Sequence, residues 1–304
     1  MNITKLHHIY KYITNINKPT LVSTWANDKH TIIAVSKAID MNIINGILIG
    51  DKNIIHNICK TENITTNKFK IIHVNSDIEA GEVAVNLIIE KKGDILMKGL
   101  ISTDKYIRAI LNKRKEILLP NSILSSIAVI ENKHYHKLLI VGDVAIIPQP
   151  NISKKIAIAN YLISTAKALG IKKPKLSIIS ATEQLIPKLQ SSVDADILSK
   201  MGENNKIKGA FIKGPLSLDI SIDKNIAKLK GVNNTVAGDA DCLLFPNLDT
   251  GNLFYKMNSK MSSAQMGTFV LGAKVPCVLS SRGDSIETKL NSIALCVLLS
   301  LNNN

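Results

Sequence analysis

Short runs of consecutive apolar residues alternate along the chain with longer stretches in which apolar side chains recur every three or four positions. The first pattern suits strands buried on both faces; the second suits amphipathic helices. The runs predict strands at 45–50 (NGILIG), 69–74 (FKIIHV), 94–99 (DILMKG), 126–131, 137–143, 175–180, 208–214, 241–246, 267–272 and 275–281. The periodic stretches predict helices near 29–41, 76–92, 102–113, 151–169, 191–202, 249–261 and 284–301. Alternation of this kind builds an α/β fold with a largely parallel sheet. The helix at 151–169 is the best punctuated. It follows Pro150, takes Asn151 or Ser153 as its cap and stops at Gly170, with Pro174 beyond.

At 304 residues the chain has room for two compact units. No low-complexity linker or internal repeat divides it. Pro148-Gln149-Pro150 is a stiff junction, and it suggests a boundary near residue 140. The last predicted strand and helix, 275–301, return to the first unit in this reading. The expected domains are therefore 1–139 plus 273–304, and 140–272.

Composition narrows the class. Hydrophobic residues make up 45% and charged residues 20%, which excludes a disordered or fibrous chain. The net charge of +14 raises nucleic acid as a partner. The kind of charge argues against it. Only three of the 38 basic residues are arginine, Arg108, Arg114 and Arg282, and aromatics are 4%. Nucleic-acid readers lean on the arginine fork and on stacking aromatics. A joint excess of Lys, Ile and Asn is what an AT-rich coding sequence gives. No specific nucleic-acid partner is expected. The cysteines, Cys59, Cys242, Cys277 and Cys296, form no C-x-x-C pair. No apolar run reaches the roughly 18 residues of a membrane span, and the N-terminus lacks an apolar signal core. The expectation is a cytoplasmic protein without a membrane partner.

In open α/β sheets, ligands bind where strands end and helix N-termini point. Two predicted junctions carry suitable side chains. In 96-LMKGLISTDKYIRAIL-111, Lys98 sits at a strand end, Ser102 and Thr103 open a helix, and Arg108 follows. Ser102 reads equally as a plain N-cap and Asp104 as a dipole partner. In 275-VPCVLSSRGDSIETKL-290, an apolar strand ends in Ser280-Ser281-Arg282-Gly283, and a helix starts near Asp284 or Ser285. Arg282 can clamp a phosphoryl group with its planar fork, and Gly283 suits a tight turn. A third segment holds Asp239 and Asp241, a pair that can bind metal but more commonly orients loops. His134-Tyr135-His136 lacks partner ligands, so no metal site is expected. There is no G-x-G-x-x-G, G-x-x-x-x-G-K-[ST], H-E-x-x-H or G-x-S-x-G.

These segments, in this order, resemble the phosphate acetyl/butyryltransferase family. The resemblance rests on MKGLISTDKYIRAIL, AGDADCLLFPNLDTGNLFYK and GAKVPCVLSSRGDSIETKLNSIAL, with 191-SSVDADILSKM-201 and 209-GAFIKGPLSLDISI-222 between them. It runs from about residue 94 to the end. The wording around SSRGDSIETKLNSIA is nearer the butyryl-type branch.

The resemblance implies a two-domain α/β/α fold like that of the isocitrate and isopropylmalate dehydrogenases, with the active site in the interdomain cleft. It implies reversible transfer of an acetyl, butyryl or other short-chain acyl group between coenzyme A and inorganic phosphate, by direct thiol attack in a ternary complex. Coenzyme A is then a substrate, and neither cofactor nor metal is implied. A homodimer is. Ser281 and Arg282 match the family's active-site pair. Ser102, Thr103 and Arg108 match its S-T-A-D-x-x-R element beside the phosphate site, with Asp104 displacing the Ala by one place, and Lys98 and Thr288 join them as implied phosphate and coenzyme A contacts. Acetyl-type members place a thiol-activating Asp seven residues after the Ser; that position here is Thr288, and Asp284 is the nearest alternative base. Near 125, where butyryl-type relatives read Ser-His, this chain has Ser125-Ser126.

Two other functions compete. One is an NAD(P)-dependent dehydrogenase of the same fold, which needs clustered metal-binding Asp residues; only Asp239 and Asp241 offer that. The other is a catalytically impaired binding protein, which Thr288 keeps open.

Overall fold

The structure is a computed structural model that describes residues 3–14, 17–112, 115 and 117–301. Arg114 and residue 113, the predicted end of the helix from 102, lie outside the described residues.

In chain order the elements begin α1 (His8–Ile13), β1 (Thr20–Thr24), α2 (Lys29–Asp40), β2 (Asn45–Gly50), α3 (Lys52–Thr61), β3 (Phe69–His73), α4 (Asp77–Ile89), β4 (Ile95–Lys98) and α5 (Thr103–Ile110). Next come β5 (Ser125–Glu131), β6 (Leu139–Gly142), α6 (Ile152–Ala168), β7 (Lys175–Ile179), α7 (Gln190–Glu203), β8 (Phe211–Leu216), α8 (Leu218–Ile222), α9 (Lys224–Leu229), β9 (Cys242–Leu244) and α10 (Leu248–Met261). The series closes with β10 (Gln265–Leu271), β11 (Cys277–Val278) and α11 (Ile286–Leu301).

The elements fall into two compact units. One comprises Leu6–Leu124 with Met266–Asn304; the other comprises Met1–Lys5 with Ser125–Gln265. These limits differ from the expected ones near 139 and 272. β5 forms an antiparallel ladder with β6, Ile127 opposite Gly142 and Ile130 opposite Leu139, so the boundary precedes β5 rather than following it. At the other crossing, β10 pairs antiparallel with β11, so nearly all of β10 returns with the final segment.

In the first unit the strand order is β3-β2-β1-β4-β11-β10. All ladders are parallel except β10 with β11. The strands are continuous apolar runs because both faces are covered: Leu48, Ile49, Ile95, Leu96 and Met97 are fully buried. Helix starts are set by short polar side chains. Asp28 accepts from Thr31 N, Asp51 from Asn53 N and Ile54 N, and Ser76 from Glu79 N. The chain steps outward from β1 to β2 to β3, then returns to place β4 on the other side of β1. Right-handed crossovers then put α2 and α3 on one face and α4 on the other, and the strand order reverses between β1 and β4. Such a reversal opens a crevice at the strands' carboxyl ends.

The second unit has the order β5-β6-β9-β7-β8, with β5 the antiparallel edge. Its helices include α6, capped by Asn151. Ser125 Oγ donates to the buried Asp143 carboxylate, which also accepts from the backbone N–H groups of Ser126, Ala145 and Ile146. Among the described residues no helix is long and apolar enough to cross a membrane.

Candidate active site

Three loops meet at the carboxyl ends of β1, β4 and β11. Gly99 sets their spacing. Its N–H donates to Thr24 O at 2.9 Å, and Leu100 N donates to Trp25 O at 2.8 Å. A Cβ at Gly99 would lie 2.5 Å from Thr24 O and 2.6 Å from Trp25 O, so only glycine lets these chains approach. Tyr106, fully buried, donates its hydroxyl to Val278 O at 3.3 Å and ties α5 to the end of β11.

Between the loops lies a cavity of about 240 Å³. Asp28, Lys29 and His30 line it after β1, Gly99 and Leu100 after β4, and Arg282 and Lys289 from the β11–α11 segment. The Arg282 guanidinium donates through Nη2 to Leu100 O at 3.1 Å. That contact uses one of five N–H donors and leaves the rest of the fork for a ligand.

Asp284 is buried and accepts from Ser281 N at 2.6 Å, so it braces the loop that carries Ser281 and Arg282. The helix cap is not Asp284 but Ser285, whose hydroxyl accepts from Thr288 N at 3.1 Å and pairs with Thr288 Oγ1 at the same distance. Ser281 is exposed, and its Oγ accepts from Gly283 N at 3.4 Å. Gly283 departs from expectation: it has no left-handed φ, and an added Cβ would meet nothing within 4 Å. The turn does not require glycine.

Lys98 ends β4 and is only 2% exposed; its Nζ donates to Gly99 O at 3.3 Å. Burial, together with the nearby Lys289 and Arg282 charges, brings its pKa down to about 8, against the opposing pull of Asp28 and Asp284. Lys289 is equally buried and donates to Ser280 Oγ at 2.9 Å; burial lowers its pKa too.

The other predicted residues stand apart from this cluster. Ser102 caps α5 by accepting from Lys105 N, Thr103 is exposed, and Arg108 pairs with Asp104 one turn back, both well exposed. Asp239 and Asp241 are held by cations: Lys137 reaches both, and Lys175 and His136 reach Asp239, which drives its pKa well below the usual carboxylate range despite partial burial. Among the described residues no group of three His, Cys, Asp or Glu side chains converges as a metal site.

Sequence reasoning missed Lys289 and Asp28. A signal for Lys289 was present. Lys289, Ser292, Ile293, Cys296 and Val297 follow the i, i+3, i+4, i+7, i+8 stripe of α11, and all are buried. A lysine on the core-facing stripe of an apolar helix is out of place unless something anionic meets it.

Residues 79–297 match the family described as phosphate acetyl/butaryl transferase. The chain belongs to the phosphate acetyl/butyryltransferase family. It is 39% identical to the phosphate butyryltransferase of Clostridium acetobutylicum over 277 residues, covering 91% of this chain and 92% of that one. It is 33% identical to the phosphate acetyltransferase of Thermotoga maritima, over 89% of this chain and 91% of that one. Among solved structures, a branched-chain phosphotransacylase from Enterococcus faecalis V583 superposes with a TM-score of 0.81 at 28% identity, covering 93% of this chain and 99% of that one. As a member of this family the chain is a phosphate acyltransferase.

Proposed function

We infer that the enzyme moves a short-chain acyl group, of butyryl size before acetyl, between coenzyme A and inorganic phosphate. The observation that carries this reading is the cavity at the β1/β4 reversal, faced by Arg282 and backed by two buried lysines. The names of the relatives supply the order of acyl groups.

Arg282 holds the phosphoryl oxygens of the acyl phosphate. The coenzyme A thiolate attacks the acyl carbonyl, the carbon–oxygen bond to phosphate breaks, and phosphate leaves with that electron pair. A thiol of pKa about 8.5 is only partly ionised at neutral pH, so nearby positive charge assists. Positioning and charge stabilisation supply most of the acceleration, and no protein nucleophile is needed. Asp284 positions Ser281 and Arg282 through its link to Ser281 N, and it is the candidate base that Thr288 does not provide. Ser102, Thr103 and Arg108 serve the coenzyme A side. No cofactor or metal takes part, the working unit is a homodimer, and the compartment is the cytoplasm.

Purified protein given butyryl phosphate and coenzyme A forms butyryl-CoA at equal rates in chelator and in magnesium, and uses acetyl phosphate less well. Arg282→Lys keeps the charge but loses the fork. It lowers turnover about 10–150-fold, the worth of one charge-assisted hydrogen bond expressed in the transition state. Strict metal dependence, or wild-type rates in Arg282→Lys, would contradict the reading. Sedimentation at micromolar concentration tests the dimer.

A further inference from the structure

Arg282 and Lys289 line the cavity, and the buried Lys98 lies close enough to feel both charges. Among the described residues, no ion pair includes any of them. Their hydrogen bonds go to neutral oxygens: Gly99 O, Ser280 Oγ and Leu100 O. Asp28, itself in the cavity lining, and Asp284 favour the charged form of both lysines, and each carboxylate accepts a backbone N–H, from Thr31 and Ser281 respectively. With Arg282 and Lys289, the charged and titratable groups of the lining are Asp28, Lys29 and His30. Buried charges are costly unless a counter-charge meets them. Here Asp28 and Asp284 offset only part of that cost, since burial still lowers the pKa of both lysines.

We propose that Lys289 and Lys98 form, with Arg282, a composite anion site that holds the phosphoryl group, and that filling this site draws a proton onto Lys98. The proposal rests on the reading of this pocket as the phosphate side of the acyl-transfer site. It adds Lys289 as a phosphate-holding residue and gives the lysine pair a linked protonation. Without an anion, burial and the neighbouring Lys289 and Arg282 charges hold Lys98 partly neutral near pH 8. A dianion beside it reverses that balance and favours the charged amine. By linkage, anion binding then takes up protons in the window between the free and bound pKa values, from about pH 8 upward, and tightens as pH falls toward 8 from above.

The test is isothermal titration of inorganic phosphate, and in parallel sulfate, into the full-length protein at pH 8 in buffers of different ionisation enthalpy. Sulfate has no proton to exchange near this pH, so any uptake with it belongs to the protein. Wild type takes up a fraction of a proton per site at pH 8. Lys98→Met abolishes the uptake. Lys289→Met weakens binding about tenfold or more, and Lys289→Arg, which keeps the charge, restores most of it. Circular dichroism checks that each variant folds. Failure of both anions to bind wild type at tens of millimolar, binding whose heat is independent of buffer, or full affinity in a folded Lys289→Met variant overturns the proposal. Turnover of butyryl phosphate and coenzyme A is followed on the same samples. Turnover without proton uptake removes the lysine proposal alone. Proton-coupled anion binding without acyl-CoA removes the acyl-transfer reading and leaves the anion site standing.

Discussion

Lys98 shows how a single buried charge trades stability for a site. Its pKa falls from 10.5 to about 8, which corresponds to about 3 kcal/mol of unfavourable charge burial at neutral pH. The sign follows from the depressed pKa of a base. Below about pH 8 the folded chain carries the full penalty. Between about pH 8 and 10.5 the unfolded chain binds more protons than the folded one, so stability from this group rises with pH. Lys98→Met therefore melts several degrees higher than wild type at pH 7, and the gap narrows toward pH 10, while turnover is lost. Thermal unfolding across that range checks it; a lower melting temperature at pH 7 would show that the amine is stabilising where it lies.

At the scale of elements, the glycines make contrasting predictions. Gly99→Ala forces its Cβ against two backbone oxygens at the end of β1, Thr24 O and Trp25 O. Overpacking of this kind costs about 1–3 kcal/mol. Gly283→Ala enters open space at an ordinary φ and changes stability by no more than about 0.5 kcal/mol. Denaturant midpoints separate the two, and equal midpoints would mean the loops yield more easily than their packing suggests.

The strands and long helices of the core were legible because parallel strands buried on both faces leave unbroken apolar runs such as 94-DILMKG-99. β1 was not. In 20-TLVST-24 only Leu21 and Val22 are apolar, and the strand is held by its β2 and β4 neighbours rather than by its own pattern. Helix α3 was missed because its apolar residues fall in two short pairs, Ile54-Ile55 and Ile58-Cys59, within ten residues, and only Ile55 and Cys59 of them are buried. In the site, the Ser281–Asp284 loop was readable from its strand–loop–helix setting. Asp28 was hidden because a cap and a site residue look alike in sequence. The true cap of α11, Ser285, sits one residue beyond the Asp284 that a cap reading favours, a choice that only hydrogen-bond geometry makes.

For the whole molecule, the positive charge is mostly lysine spread over both units, and ion pairs fix several of these lysines in place while leaving the net charge at +14. Lys68 pairs with Asp40, Lys105 with Asp77, Lys200 with Asp196, Lys213 with Glu203 and Lys230 with Asp219. Such a surface gives duplex DNA only weak, salt-sensitive attraction, with Kd about 10⁻⁴–10⁻⁶ M at physiological salt and no preference between sequences. Fluorescence anisotropy with two unrelated duplexes checks this, and nanomolar selective binding would overturn the account of the charge. The division of the chain has a different consequence, for synthesis. The unit that bears the cavity is interrupted: Ser125–Gln265 is translated before β11 and α11 exist. Until the segment after 266 leaves the ribosome, β4 lacks its neighbour β11, which leads into Ser281 and Arg282, and Lys289 has not been made. The nascent chain can complete Ser125–Gln265 first, while its earlier half waits with one flank of β4 unpaired. Chaperone engagement during synthesis should therefore centre on residues before 124, and should be released only as α11 emerges.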